Sequence, residues 1–388
     1  MRREQPTGSS LLDHAAAPKS GWRAESGLLL VATTLGLFLA FGNDWLANLG
    51  SPTWLALMLL WLFGAVLVAS LRVVHHAECL AARLGEPYGT LILTLSVTCI
   101  EVAMISALML SGDNNPTLGR DAMFAVVMIV LNGIVGLSLL LGALRYREQS
   151  YNLQGASAYL SVIIPLTVFS LVLPDVTVST PGPTFDGFQS GFVILISVSL
   201  YATFLFIQTS RHAGYFNDLS EAAETRVNEK GDRADEPAGS IAFHALLLLS
   251  YLVPVVVLAE DLAIPLEQAI AVLDLPVALG GISIAALVLT PEGMGAIRAC
   301  VRNRPQRAVN IALGSVLATI GLTVPAVLAV SLYTGKEVQL GLSYAHAVLL
   351  FVTLAVSILT FSSARTNLLQ GAVHLILFLI YLMLVFSP

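Results

Sequence analysis

An all-α membrane protein of about eleven spanning helices is the fold class the sequence predicts, and three observations predict it. Of the 388 residues 56% are apolar and only 11% are charged, where a soluble domain carries about 25% charge. The apolar residues gather in runs of about 20, each long enough to cross a hydrocarbon core roughly 30 Å thick, and mean hydropathy is +0.82. Lys and Arg collect on alternate polar segments, as they do when basic residues stay on the cytoplasmic side. A soluble globule is thereby excluded. The net charge of -6 gives no footing for nucleic acid. Cys79, Cys99 and Cys300 lie in or beside apolar segments without metal-ligand spacing, so no disulfide framework, zinc site or cofactor is expected.

The elements follow in order. Residues 1–26 carry Arg2, Arg3, Lys19 and Arg23 among Pro, Gly and Ser, with no apolar stretch of the kind a signal peptide has, and are expected to form a cytoplasmic tail. A first transmembrane helix falls within 27–50, its apolar run at 27–42. Five spans follow at 53–75, 87–111, 121–144, 155–174 and 188–209, making up a unit over 51–209. Residues 210–240 hold seven acids against four bases and are too polar to bury a core, so they read as an acidic cytoplasmic linker. Five more spans, at 241–259, 276–298, 308–332, 341–361 and 366–386, make up a second unit over 241–388. With the N-terminus inside and the C-terminus outside, 17 of the 19 basic residues fall on the cytoplasmic side, and only Arg120 and Lys336 fall outside. One span too many or too few in mid-chain would scramble that sorting.

The two units resemble each other. Gly89 to Glu101 (GTLILTLSVTCIE) and Gly280 to Glu292 (GGISIAALVLTPE) share length, an initial Gly and a terminal carboxylate. The next spans contain IVLNG from Ile129 and IALGS from Ile311, and Ala77-Glu78-Cys79-Leu80-Ala81 is echoed by Ala259-Glu260-Asp261-Leu262-Ala263. Five spans per unit make the copies antiparallel, and inverted repeats of this kind are typical of secondary transporters with a midplane site.

Glu101 lies about 14 residues, roughly 21 Å, into its span, and Glu292 is its counterpart. A carboxylate at that depth must face the protein interior and either be protonated or hold a cation. Burial disfavours the charged form and a neighbouring cation favours it, so proton and metal compete for the same oxygens. Pro291 and Gly293 flank Glu292 and oppose regular helix, which would free carbonyls as ligands. Asn132, Gly314, Ser315 and Thr319 offer polar oxygens or close backbone approach on the following spans. His244, His346 and His374 in the spans are read as hydrogen-bonded packing groups, with a proton relay as the alternative.

These motifs resemble those of the cation/proton exchanger (CAX) family. Glu78 to Glu101 is similar to its first repeat, with an acidic residue, an LA-x-RLG segment and a helix ending in Glu. Glu292 to Pro325 is similar to the second, with Arg302-Asn303, then Gly314-Ser315 and a late Pro. The resemblance is closest to the bacterial ChaA-type branch. It implies an inner-membrane antiporter in which Glu101 and Glu292 bind both cation and proton, with Asn132, Ser315, Gly314 and Thr98 beside them and Glu78 and Glu267 as accessory acids. Where the wider family has Gly-Asn before the glutamate, this chain has Val97-Thr98 and Val288-Leu289, so fewer side-chain oxygens are on offer than Ca2+ prefers.

The function expected is therefore export of Ca2+, or of Na+ and K+, in exchange for H+ by alternating access. A Na+(K+)/H+ antiporter with little Ca2+ transport is the nearest alternative, and a cation channel or an intramembrane enzyme are more distant ones. The chain shows none of HExxH, a GxSxG nucleophile or paired intramembrane aspartates, so no enzyme activity is expected. Expected partners are inorganic cations, protons and the lipid bilayer, with self-association as the one protein contact allowed for.

Overall fold

The computed structural model describes residues 25–84, 88–111, 116–216 and 240–387, so the N-terminal tail and most of the acidic linker lie outside the described residues. Helix α1 is Ser26–Leu46 and α2 Pro52–Leu84; α3, carrying Glu101, is Tyr88–Ser111; α4 is Leu118–Tyr146, α5 Leu153–Leu171 and α6 Gly187–Arg211. After the linker come α7 (Ile241–Val272), α8 (Ala278–Val301, carrying Glu292), α9 (Pro305–Thr334), α10 (Tyr344–Phe361) and α11 (Leu368–Phe386). Ten of these are long and apolar enough to cross a membrane, and α3 contributes a shorter described apolar run, Ile92–Ser106. Large side chains such as Leu29, Leu39 and Leu60 face outward, the surface expected of helices solvated by lipid.

The inverted repeat is visible in the helix lengths. In chain order the first four helices of the first unit have 33, 24, 29 and 19 residues and those of the second 32, 24, 30 and 18, while the fifth helices differ, at 25 and 19. Both α4 and α9 are interrupted by a π-turn, Ile129–Ile134 and Thr319–Thr323, beginning 28 residues after Glu101 and 27 after Glu292. The loops keep the same relation. Strand β1 (Gln149–Ser150), after α4, pairs antiparallel with β2 (Arg365–Thr366), after α10. At the opposite end the segment after α9 bonds the segment after α5, with the Leu340 and Gly341 amides donating to the Pro183 carbonyl, each at 3.1 Å.

This register corrects one sequence expectation. Thr323, not Gly314, stands as far beyond Glu292 as Asn132 stands beyond Glu101, so pairing IVLNG with IALGS is out of register with the two π-turns. Helices α2 and α7 also run well past their apolar stretches, so Glu78 and Glu267 sit inside helices rather than at span ends. Nor does Pro291 break its helix: α8 is continuous through it.

Among the described residues two large apolar clusters build most of the interior. One joins α1, α2 and α7, and the other joins α4 to α6 with α9 to α11. Helices α3 and α8 contribute to both, so the two glutamate helices stand between the clusters.

Candidate functional site

A cavity of about 390 Å³ opens between those clusters, and Glu101 and Glu292 both line it. On α3 the cavity face is Thr94, Thr98 and Glu101, at the i, i+4, i+7 spacing that puts three side chains on one stripe of a helix. On α9 it is Asn310, Gly314, Ser315 and Ala318. Helices α5 and α6 close the side with Tyr159, Tyr201 and Gln208.

One helix serves both carboxyls. Thr319 Oγ1, in the π-turn of α9, donates to Glu101 Oε2 at 3.0 Å, and Ser315 Oγ, one turn earlier, donates to Glu292 Oε2. Glu101 is 5% exposed, and its Oε1 is buried without a hydrogen bond, as is Thr98 Oγ1. A buried carboxyl oxygen with no donor is costly unless a proton or a cation meets it. The arrangement therefore suits an exchange of the two on one set of oxygens.

The cavity reaches one end of the molecule. Its mouth is marked by Glu78 and Arg307, exposed side chains whose N–O distance is 3.8 Å, and this is the end that carries Arg72, Arg83, Arg145 and Arg298. Towards the other end α4 and α8 meet backbone to backbone, where a Cβ on Gly281 would stand 2.7 Å from the Ala122 amide nitrogen. Among the described residues the cavity lining reaches only the end marked by Glu78 and Arg307.

Of the residues singled out from sequence, Glu101, Glu292, Thr98, Gly314, Ser315 and Glu78 line this cavity. Asn132 and Glu267 do not. Asn132 is fully buried on another face of α4, bonded to Thr353 and His374. Of the pairs that replace Gly-Asn, Val97-Thr98 faces the cavity while Val288 and Leu289 are packed in the apolar clusters. Thr94, Tyr159, Gln208 and Asn310 were not singled out. Only Thr94 had a readable signal, its helical spacing from Glu101. His76 and His244 meet at 3.0 Å between α2 and α7, away from the cavity.

The model of the sodium/calcium exchanger protein family matches residues 54–210 and, again, 243–387, one match for each five-helix unit. The chain is 44% identical over 332 residues to y4hA of Sinorhizobium fredii, covering 85% of this chain and 89% of that one. It is 41% identical over 343 residues to the sodium-potassium/proton antiporter ChaA of Escherichia coli, covering 88% and 92%. Among solved structures, native YfkE superposes with a TM-score of 0.69 at 18% identity, covering 93% of this chain and all of YfkE.

Proposed function

The chain belongs to the sodium/calcium exchanger protein family as a multi-pass cation/proton antiporter, and from that premise we propose that Glu101 and Glu292 are the shared binding groups for cation and proton. The observation that carries this is the convergence of both carboxyls, one from each repeat, on a single cavity lined by Ser315, Thr319-bonded Glu101 and the partnerless Thr98 hydroxyl. Two carboxylates are balanced by two protons, by two monovalent ions or by one Ca2+, so the same pair serves any of these exchanges. Hydroxyl oxygens surround them where a stricter Ca2+ site would gather more carbonyls, and a relative at 41% identity is named for sodium and potassium. Na+ and K+ are accordingly the leading substrates in this reading, with Ca2+ admitted.

The membrane is the bacterial cytoplasmic membrane, with the N-terminus inside, the acidic 210–240 segment cytoplasmic and the C-terminus external. The 17-to-2 division of basic residues supports this orientation. The cavity mouth at Glu78 and Arg307 then faces the cytoplasm, so the conformation is inward-facing and ready to load a cation for export. Everted vesicles holding a pH gradient and challenged in turn with Na+, K+ and Ca2+ test the proposal. Each transported ion dissipates the gradient; a gradient untouched by all three refutes it.

A further inference from the structure

We propose that His374 is a positioning residue for cation exchange, acting through Asn132 and the π-turn of α4 on the Glu292 turn of α8. The Asn132 amide is fully used: its Nδ2 donates to Thr353 Oγ1 at 2.9 Å and to Met128 Sδ at 3.5 Å, and its Oδ1 accepts from His374 Nδ1 at 3.2 Å. With Nδ1 as donor, His374 Nε2 is left to accept the Thr360 hydroxyl at 3.0 Å. The four polar side chains are at most 2% exposed, and together they tie α4, α10 and α11 at one point inside the membrane. An imidazole and an amide are expensive to place there and point to a function. Yet none of the four touches the cavity.

Their reach to it runs through α4. Close beside the clasp, α4 and α11 lie backbone against backbone: a Cβ on Gly371 would be 2.5 Å from the Leu140 nitrogen, and one on Gly136 2.9 Å from the Leu375 nitrogen. On its other side the same π-turn presents Ile134, whose Cδ1 lies 3.1 Å from where a Cβ of Gly293 would be. Gly293 adjoins Glu292, and Ser315 holds that carboxyl from α9. A π-turn is the soft point of a helix, since its register can relax to the ordinary α repeat. Fixing Asn132 from behind holds the turn wound, keeps Ile134 on Gly293 and so sets where the Glu292 carboxyl stands in the cavity.

This inference rests on the proposed role of Glu292 as a cation ligand, and the test separates the two. Na+-driven proton flux is measured in everted vesicles for wild type, His374→Leu, His374→Asn, Ile134→Ala, the double variant His374→Leu/Ile134→Ala, and Glu292→Gln. The expected result is that His374→Leu raises the half-saturating Na+ concentration several-fold while changing the maximal rate less than twofold. His374→Asn, whose amide can donate to Asn132, restores most of the loss. The double variant does no worse than the more severe single one, because both break the same chain of contacts. Should His374→Leu fail to accumulate, Thr353→Val, which frees the other end of the Asn132 amide, is expected to show the same shift. With Glu292→Gln inactive, an unchanged half-saturating concentration, or effects that simply add, overturns the positioning role alone. Undiminished exchange by Glu292→Gln overturns the reading of the site itself.

Discussion

At the scale of single residues, the two glutamates were legible because an acid in the middle of a long apolar run has few reasons to be there. Their replacement by Gln keeps size but removes both ionisation and proton carriage. Glu101→Gln and Glu292→Gln are each expected to abolish ion-driven proton flux while the protein still accumulates in the membrane. Retained flux in either would contradict the shared-carboxyl mechanism. Ser315 and Thr319 set the carboxyl positions by one hydrogen bond each, and hydrogen bonds to charged groups are worth about 1.5–3 kcal/mol. Ser315→Ala and Thr319→Val should therefore raise the half-saturating cation concentration about tenfold or more, measured as the dose that half-dissipates a pH gradient. Asn132 does not line the cavity, and the pairing of its segment with IALGS rested on two shared letters, Ile and Leu, rather than on register. The distance from each glutamate to its π-turn, which no residue type announces, shows that Asn132 and Gly314 are not equivalent.

At the scale of helices, hydropathy locates the spans but not their ends. Helices α2 and α7 extend past the apolar stretch because helix continues through Arg72, His75, His76 and Arg83 in one and Glu260 and Asp261 in the other, and a polar interface does not break it. The lengths that reveal the repeat therefore became measurable only in the structure. The seal opposite the cavity mouth is a helix crossing, and it depends on a missing side chain: a Cβ on Gly281 would press the Ala122 backbone. Gly281→Leu must separate α8 from α4, at a cost of about 1–3 kcal/mol for overpacking. The purified protein should melt at a lower temperature, and a cysteine introduced at Ala122 should become reactive from the face away from the arginines. An unchanged melting curve and an unreactive cysteine would show that this crossing is not the seal.

At the scale of the whole molecule, alternate-loop sorting of basic residues and an odd number of spans per unit were enough to read an inverted repeat from the sequence. What the sequence could not supply is the asymmetry. Glu78 stands at the cavity mouth while neither Glu260 nor Glu267 of the second unit lines the cavity, which is the condition of a transporter open on one side. The orientation is testable directly: a reporter fused after Pro388 should be external and one inserted near Lys230 cytoplasmic, and the reverse at either place would break the eleven-helix arrangement. The central claim is that one pair of carboxyls serves both ions, and it is tested most directly by the dependence of exchange on proton concentration at the cation-loading face. Initial rates in everted vesicles, measured over a series of Na+ concentrations at several external pH values, should show the half-saturating Na+ concentration rising as pH falls, because protons occupy the same oxygens, while the maximal rate at saturating Na+ stays constant. A half-saturating concentration indifferent to pH, with only the maximal rate falling, would place proton and cation on separate sites and contradict the account.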